Sequence, residues 1–580
     1  MASIQPKMVN GRKYWQIVQS QRVNGKPRPI VLEHLGTADS LLDKLRNRKG
    51  KSLTVKSYSH GLVAVLLKLA EELNIVELIN NDVESQRKYF AGRPIRNNLT
   101  VGATLLLAAI GRVCKPTSKD GWYAWAKQTS LSYLLRMDFS KLDSQHFWDM
   151  MDSLPEGKIG DIELNLLKNI KNKYTLDSDT LFYDTTNFYT FINTTNIRCT
   201  IAQRGKNKQK RTDLRQVGLA MVVSRKDLTP IFHETYQGNK NDSTIFRNLL
   251  IKIRKRLLDL GMNVDMHTIV FDRGCNAKKN LEIISNLKMH YVGALTPFHH
   301  KALVNDAENN FKQIIVNGNE LSAYRDKRSI WGEERTVLVY ISEKLKAGQL
   351  RGIYSTIEKQ LKSLEELNKR LGNPRSIKFT RKNLINKIDE IISMPGTAPR
   401  LIDYGVSKKK NKPYVITCEI DKQAIANIED KLGFRIIMTN RHNWTSSEII
   451  NAYQGQSFIE NAFKNIKSPI HLALTPEFHW TDQKIKIHFF TCVMGYMLTT
   501  ILWKKIKEIG YNGSMTNFLE MLSGIRLANI LEYNGKKNKP QVNYQIELMD
   551  EHEEKCFEAL NGLNIHKQKI KIDGFSLYKS

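Results

Sequence analysis

Apolar and polar residues alternate along KYWQIVQSQR and PRPIVLEHLG, with Val23-Asn24-Gly25-Lys26 between the two runs. Period-two alternation around an Asn-Gly pair predicts a β-hairpin, because both residues tolerate the positive φ that a tight hairpin turn needs. From about His60 the period changes. HGLVAVLLKLAEELNIVELI, LTVGATLLLAAIGRV, SLSYLLRMDFSKL and DSQHFWDMMDSL space their apolar residues as helices do, with breaks at Pro116 and Pro155, so a helical domain is predicted up to Lys173. No helix-turn-helix spacing stands out in it, and no recognition helix is named.

Strand texture follows. TLFYDTTNFYTF (180–191), LRQVGLAMVVS (214–224) and TPIFHETYQG (229–238) are β-branched and aromatic and predict an antiparallel meander. DSTIFRNLLIKIRKRLLDLG (242–261) reads as a helix capped by Asp242 and closed by Gly261, leading into the strand HTIVF. A helix (276–287) and the strand HYVGAL (290–295) come next, so the succession predicts an α/β fold, a mixed sheet flanked by helices. Between Thr296 and about Leu432 the alternation lapses. A strand pair around SIWGEERTVLVYIS, a charged helix near 355–372 and the turn SKKKNK (407–412) predict an inserted α+β subdomain. Strand FRIIMTN (434–440), a helix opened by the capping box Thr445-Ser446-Ser447-Glu448 and a long helix from about Asp482 to Lys507 resume the pattern. A helix near 515–530 and the basic runs GKKNK and HKQKIKID end the chain.

Composition narrows the class. With 580 residues, 41% of them apolar, the chain can build several cores and is not disordered. A formal net charge of +31 exceeds what solubility requires and points to a polyanionic partner, nucleic acid ahead of a membrane surface. The six cysteines are scattered without a C-x-x-C pair, which argues against a zinc ribbon, a redox motif or a disulfide framework and fits a reducing cytoplasm. MASIQPKMVNGRKYW has no apolar run behind its charges, so no signal peptide is read. IHFFTCVMGYMLTTILW (487–503) approaches membrane length but is short and carries His488 and several Thr, which predicts a buried helix and no membrane partner.

Two aspartates stand out against this background. Asp184 lies inside an apolar strand and Asp272 ends the strand HTIVF before Arg273-Gly274. Ionising either there is costly unless a cation or donor compensates. Close carboxylates raise each other's pKa and are best tolerated when hard divalent cations neutralise them. A third acid comes from YQGQSFIENAFKNIK (453–467). At about 100° per residue, Tyr453, Gln456, Glu460 and Lys467 fall within roughly 60° on one face of a continuous helix. One such face alone is ordinarily a solvated polar stripe, but Glu460 laid against the sheet would complete an acidic triad. Three carboxylates holding two Mg²⁺ ions suit phosphoryl transfer, with DNA as the substrate.

FYDTTNFY, RTDLRQVGLAMVVS, HETYQGNKNDSTIF, FDRG and the spacing Y-x2-Q-x3-E-x6-K jointly resemble bacterial insertion-sequence transposases of the DDE class, over roughly residues 180–300 and 434–505. The resemblance implies a ribonuclease H-like catalytic domain and the triad Asp184, Asp272 and Glu460, with two Mg²⁺ or Mn²⁺ ions. It further implies DNA contacts by Tyr453 and Lys467, and an activity that cuts the terminal inverted repeats and joins them to target DNA. Gln456 stands where the family usually has Arg, so a charged bidentate phosphate contact becomes a neutral one. Further DNA contacts are expected from Arg204, Lys206, Lys208, Lys210, Arg211 and Arg273. Trp331, in the inserted segment, is a candidate for stacking on an unpaired base, although a core role in a small β subdomain also fits. The implied partners are double-stranded DNA at both transposon ends and target, and a second copy of the chain, in a bacterial cytoplasm at the nucleoid. The expected domains are 1–57 (hairpin and linker), 58–173 (helical, DNA-binding), 174–297 (first part of the core), 298–433 (inserted), 434–510 (second part of the core) and 511–580 (helical region and basic tail). Two alternatives stay open: a catalytically inactive DNA-binding descendant, and a ribonuclease H-like nuclease that does not join ends.

Overall fold

The computed structural model describes residues 2–575 apart from 24–25, 47–50, 84–98, 177–178, 207–210, 374–378, 395–399, 409–412, 476, 535–540, 569 and 573–574. Strands β1 (Ala2–Val9), β2 (Arg12–Val23) and β3 (Lys26–Thr37) open the chain as an antiparallel sheet in that order. The Asn24-Gly25 turn of the expected hairpin lies outside the described residues. β1 is exposed along its whole length; it joins the sheet through backbone pairing, so no apolar alternation announces it in sequence. Strand β4 (Lys51–Ser59) follows, where a linker is expected.

Most of the described chain from Gly61 to Lys173 is helical, and the Val101–Cys114 helix is its axis. Thr100 caps that helix by accepting from the Ala103 N–H. It packs on the Asp482–Glu508 helix closely enough that a Cβ at Gly495 would come 3.0 Å from Val113 Cγ2. The Asp482–Glu508 helix is long and apolar enough to cross a membrane, yet 94% of its apolar window is buried inside the protein. It is a core helix.

Beside it lies a nine-stranded mixed sheet. Strands β5 (Thr180–Thr190), β6 (Arg215–Ser224) and β7 (Pro230–Gln237) form an antiparallel meander. Strand β8 (Thr268–Phe271) pairs with β5 in parallel, and β9 (His290–Leu295) pairs with β8 in parallel. Strands β10 (Lys312–Val316), β11 (Asn319–Ile330) and β12 (Glu333–Ile341) extend the same sheet through β15 (Phe434–Thr439), giving the order β10-β11-β12-β15-β9-β8-β5-β6-β7. This differs from an inserted segment that starts at residue 298. Val337, Leu338 and Val339 are fully buried because they belong to the central sheet. Among the described residues a separate apolar core lies after Ile341, where the helices Glu343–Gly372 and Arg381–Ile392 and the hairpin of β13 (Ile402–Lys408) and β14 (Tyr414–Ile420) gather Ile357, Leu364, Leu384, Ile388, Leu401 and Ile416. At the other end of the chain, the helix expected near 515–530 stops at Gly524. Strand β16 (Arg526–Asn534) then pairs on one side with β4 and on the other with β17 (Gln541–Ile546).

A buried ionic cluster joins the helical region to the sheet. Glu163, on the Ile159–Lys173 helix, accepts from Arg256 Nη1 at 2.6 Å and from His233 Nδ1, and its side chain is 1% exposed. Arg256 belongs to the Asp242–Asp259 helix and His233 to β7, so one carboxylate ties three elements. Glu163→Ala leaves the guanidinium buried without a counter-charge, which costs about 3–5 kcal/mol. Lys255→Ala removes only an exposed pair with Asp259 and costs under about 1 kcal/mol. Urea unfolding of both variants checks this: a midpoint shift for Glu163→Ala no larger than that for Lys255→Ala would show that the cluster does not hold the two parts together.

Candidate active site

Side chains alternate across β5. Phe182, Asp184, Thr186 and Phe188 face one set of helices: the Phe182 ring lies 5.8 Å from Phe458, Thr186 accepts from Lys467 Nζ, and Phe188 meets Phe489 edge-on at 5.4 Å. Tyr183 faces the other way, 4.6 Å from Phe246. Asp184 is therefore set among apolar neighbours in the middle of the sheet. The parallel pairing of β5 with β8 aligns Tyr183 with Phe271, so the next residues, Asp184 and Asp272, come out abreast. Asp272 caps the following turn, accepting from the Arg273 N–H at 2.6 Å. Asn280, fully buried, donates to Cys275 O at 2.7 Å and to Ser243 O at 3.0 Å, fastening that turn to the Asp242–Asp259 helix.

Glu460 arrives from far along the chain. The capping box Thr445/Glu448 is formed, with Thr445 N–H donating to Glu448 at 2.7 Å. The single helix expected beyond it is two helices, Ser446–Gln454 and Ser457–Ile466. The break is at Gly455, which packs on Phe182 so tightly that a Cβ there would lie 2.5 Å from the ring. Tyr453, Gln456 and Glu460 nonetheless share one cavity of about 700 Å³ with Asp184 and Asp272. Lys467 does not line it; its ammonium is held over the Phe188 ring at 5.1 Å and on Thr186.

The electrostatics are those of crowded acids. Asp184 is pushed up to about 7, chiefly by burial, with the charges of Asp272, Asp242 and Glu460 adding to it. Among the described residues no Lys, Arg or His forms an ion pair with Asp184, Asp272 or Glu460. Two cations unforeseen from sequence line the cavity, Lys344 and Arg435. The Arg435 guanidinium sits 5.8 Å from the centroid of the Tyr453 ring. The signal for Arg435 was present: it is the only charge in FRIIMT, as Asp184 is in its own strand. Asp242, read only as a helix cap, also adds its charge to the site.

The remaining expected residues scatter. Arg204, Lys206 and Arg273 are exposed, and Arg211 pairs with Asp213 at 2.6 Å. Lys208 and Lys210 lie outside the described residues. Trp331 is at the tip of the β11–β12 turn, with φ of 52°, and is 37% exposed, so it is not a core residue. The cavity is reached by the opposite end of β12, at Tyr340. Nine residues of strand, roughly 30 Å, separate the two, and Glu333 beside the tip is bound to Ser285. Trp331 therefore does not join the acidic cavity.

A profile of the transposase DDE domain matches residues 177–498, more than half of the chain, and one of the N-terminal domain of IS1634 family transposases matches residues 4–54. The chain belongs to the DDE transposases. A search of curated proteins finds no match. Among solved structures, the piggyBac transposase in a synaptic complex with hairpin DNA is similar over 79% of this chain and 79% of that one, at 8% identity and a TM-score of 0.38.

A DDE transposase uses divalent metal ions, and the residues present fit them. Three carboxylates without a counter-cation face one cavity, and hard oxygen donors of this number suit Mg²⁺ or Mn²⁺ with water completing the shell. Without metal the raised Asp184 carboxyl binds a proton that the unfolded chain has already released. Stability of the metal-free transposase is then lost as pH rises from the ordinary carboxyl range to about 7. Asp184→Asn, which cannot ionise, is expected to gain on the native chain across that window in thermal unfolding with a chelator present. An equal gap between the two proteins at both ends of the window would contradict the burial assigned to Asp184.

Proposed function

We propose that this transposase binds the terminal inverted repeats of its own element, cuts DNA there and joins the ends to target DNA. Asp184, Asp272 and Glu460 act as ligands of two Mg²⁺ or Mn²⁺ ions. The observation that carries the reading is the meeting, in one cavity, of acids from β5, from the turn after β8 and from the Ser457–Ile466 helix. The strand order β9-β8-β5-β6-β7, a meander with two parallel strands added beside its first member, supports a ribonuclease H-like core. Bound ions there supply activation of a water or 3′-hydroxyl and charge neutralisation at the leaving oxygen.

The chain's own residues orient the substrate. Gln456 offers a neutral amide to a phosphate, and Arg435 beside Tyr453 restores the charged fork that Gln456 lacks. Tyr453 and Lys344 flank the same phosphate path. Lys467 acts further along β5, while Arg204, Lys206, Arg211 and Arg273 contact the sugar-phosphate backbone without reading sequence. The helical region before Lys173 contributes DNA binding, and a dimer holds two ends at once.

Glu460→Gln is expected to abolish metal-dependent cutting of an end-bearing duplex while keeping end binding within a few fold; a variant that still cuts would remove Glu460 from the ligand set. Arg435→Ala loses a charged hydrogen bond of about 1.5–3 kcal/mol, which predicts cleavage slowed by roughly tenfold to a hundredfold with end binding little changed. An unaltered rate would leave Gln456 alone at that position. A strand-transfer assay in Mn²⁺ separates joining from plain hydrolysis. The DNA beside the gene offers an independent check, since inverted repeats bracketed by a short target duplication mark a mobile element.

A further inference from the structure

The segment from Glu477 to Trp480 is inside out. Glu477 is 0% and His479 9% exposed, whereas Phe478 is 60% and Trp480 49% exposed. A one-residue change of register would bury the aromatics and hydrate the carboxylate and imidazole, which is the cheaper arrangement for these side chains. The observed register is locked by polar contacts beneath. His479 is bonded through Nδ1 to Glu477 and through Nε2 accepts from Lys119 Nζ at 2.9 Å. The second Glu477 oxygen lies 3.4 Å from His488 Nε2, which donates to Leu474 O at 2.9 Å, and Arg112 Nη1 donates to Ala473 O at 2.9 Å. His479 Nε2 is thus committed to the Lys119 ammonium and His488 Nε2 to a carbonyl. Glu477 Oε2 is left buried without a hydrogen-bond partner, and the bonds of His479 and of the other Glu477 oxygen anchor the segment beneath its aromatic rings.

The anchor presents a platform. Phe478 meets Phe191 with ring centroids 5.5 Å apart, and Arg198 lies over the Trp480 ring at 5.4 Å. Asn196 Nδ2 donates to Trp480 O at 3.0 Å, and Arg215 braces the loop through Thr194 O and Asn196 O. Ile197, on the same loop, is 90% exposed. Arg198, exposed on that loop, puts positive charge beside the rings. The platform is also in line with the acidic cavity. Thr190, which ends β5, forms a parallel bridge with Glu477, and Phe191 N–H donates to Glu477 O at 2.9 Å. Seven residues of extended chain, roughly 20 Å, lead from Asp184 to Phe191, past Thr186 and Phe188, which hold Lys467.

We infer that Phe478 and Trp480, with Phe191 and Arg198, form a stacking platform for unpaired bases of the DNA whose phosphate lies at the acidic cavity. The inference rests on the proposed DNA-cutting role of that cavity. Flat, exposed aromatic rings flanked by a guanidinium group match bases on a polyanionic strand. They suit an apolar protein surface less well, because Arg198 adds charge beside the rings. Stacking there holds the duplex open about six base steps from the cut, a little over half a helical turn, at roughly 3.4 Å per base step.

The test uses the full chain without metal, so cutting does not enter. A duplex with a short internal bubble, one of its bases 2-aminopurine, is compared with the same duplex fully paired. The native chain is expected to prefer the bubble by about tenfold and to quench the fluorophore. Phe478→Ala/Trp480→Ala should lose both effects, with its affinity for the paired duplex within twofold of native and its melting unchanged. Trp331→Ala, at the far edge of the sheet, should keep both. Native-like bubble preference in the double variant overturns the proposal. So does a loss of self-association in sedimentation without any change in DNA binding, since a second copy of the chain would then be what covers the rings. Because Glu460→Gln should retain bubble preference and quenching, a failure of cleavage chemistry and a failure of stacking show up in different measurements.

Discussion

The constraint on which the architecture depends is the repulsion among carboxylates gathered in one place. Asp184 cannot easily be charged where it is: it lies in an apolar strand, and the charges of Asp272, Asp242 and Glu460 all bear on it. Left to relax, such groups would separate. Asp272 and Glu460 reach solvent, yet they stay beside Asp184 because each is attached to something that cannot move independently. Asp184 is fixed by its strand in the sheet centre, Asp272 by the parallel register of β5 with β8, and Glu460 by a helix whose preceding turn is pressed on Phe182. Covalent neighbours and packed rings thus hold acids together against their electrostatics, the condition under which a site gains affinity for hard cations.

That arrangement explains what could be read in advance and what could not. Asp184 was legible because a lone carboxylate inside FYDTTNFY conflicts with the apolar pattern around it, and a conflict of that kind is visible without coordinates. The same logic applied to FRIIMT would have found Arg435. The meander of β5 to β7 was legible from three short β-branched runs with turns between them. The break at Gly455 was not, since its cause is the ring of Phe182, a residue more than 270 positions earlier that helix periodicity does not see. Nor was the pairing of β4 with β16, because strand partners are chosen by packing across the whole chain rather than by local preference. The strands β10 to β12 misled for a related reason. A lapse in helix–strand alternation looks like an inserted domain, but consecutive antiparallel strands added to the edge of an existing sheet produce the same texture.

Trp331 and Trp480 illustrate how exposure has to be weighed with place. Both are large aromatics in short segments beside charged residues, and sequence alone singled out the first. It sits in a tight turn at the edge of the sheet away from the acids. The second lies on a segment bridged to the strand that carries Asp184. Distance along β12 separates Trp331 from the cavity, whereas distance along β5 connects Phe191 and its neighbours to it.

The two unusual polar features of the core are therefore linked through one strand. At its middle, β5 carries a carboxylate that burial and neighbouring acids make costly to ionise; at its end, it pairs with a segment whose carboxylate is bonded to His479, itself held by Lys119. The first arrangement leaves charge unbalanced and so favours a ligand. The second is held by bonds within the protein and keeps aromatic rings in water, an exposure that hydrophobic burial alone would oppose. Both depart from the lowest-energy arrangement of an isolated chain, in opposite senses, along the same 20 Å or so of strand. A polyanion with flat bases is the class of partner that compensates both, since its phosphate brings cations to the acids and its bases cover the rings.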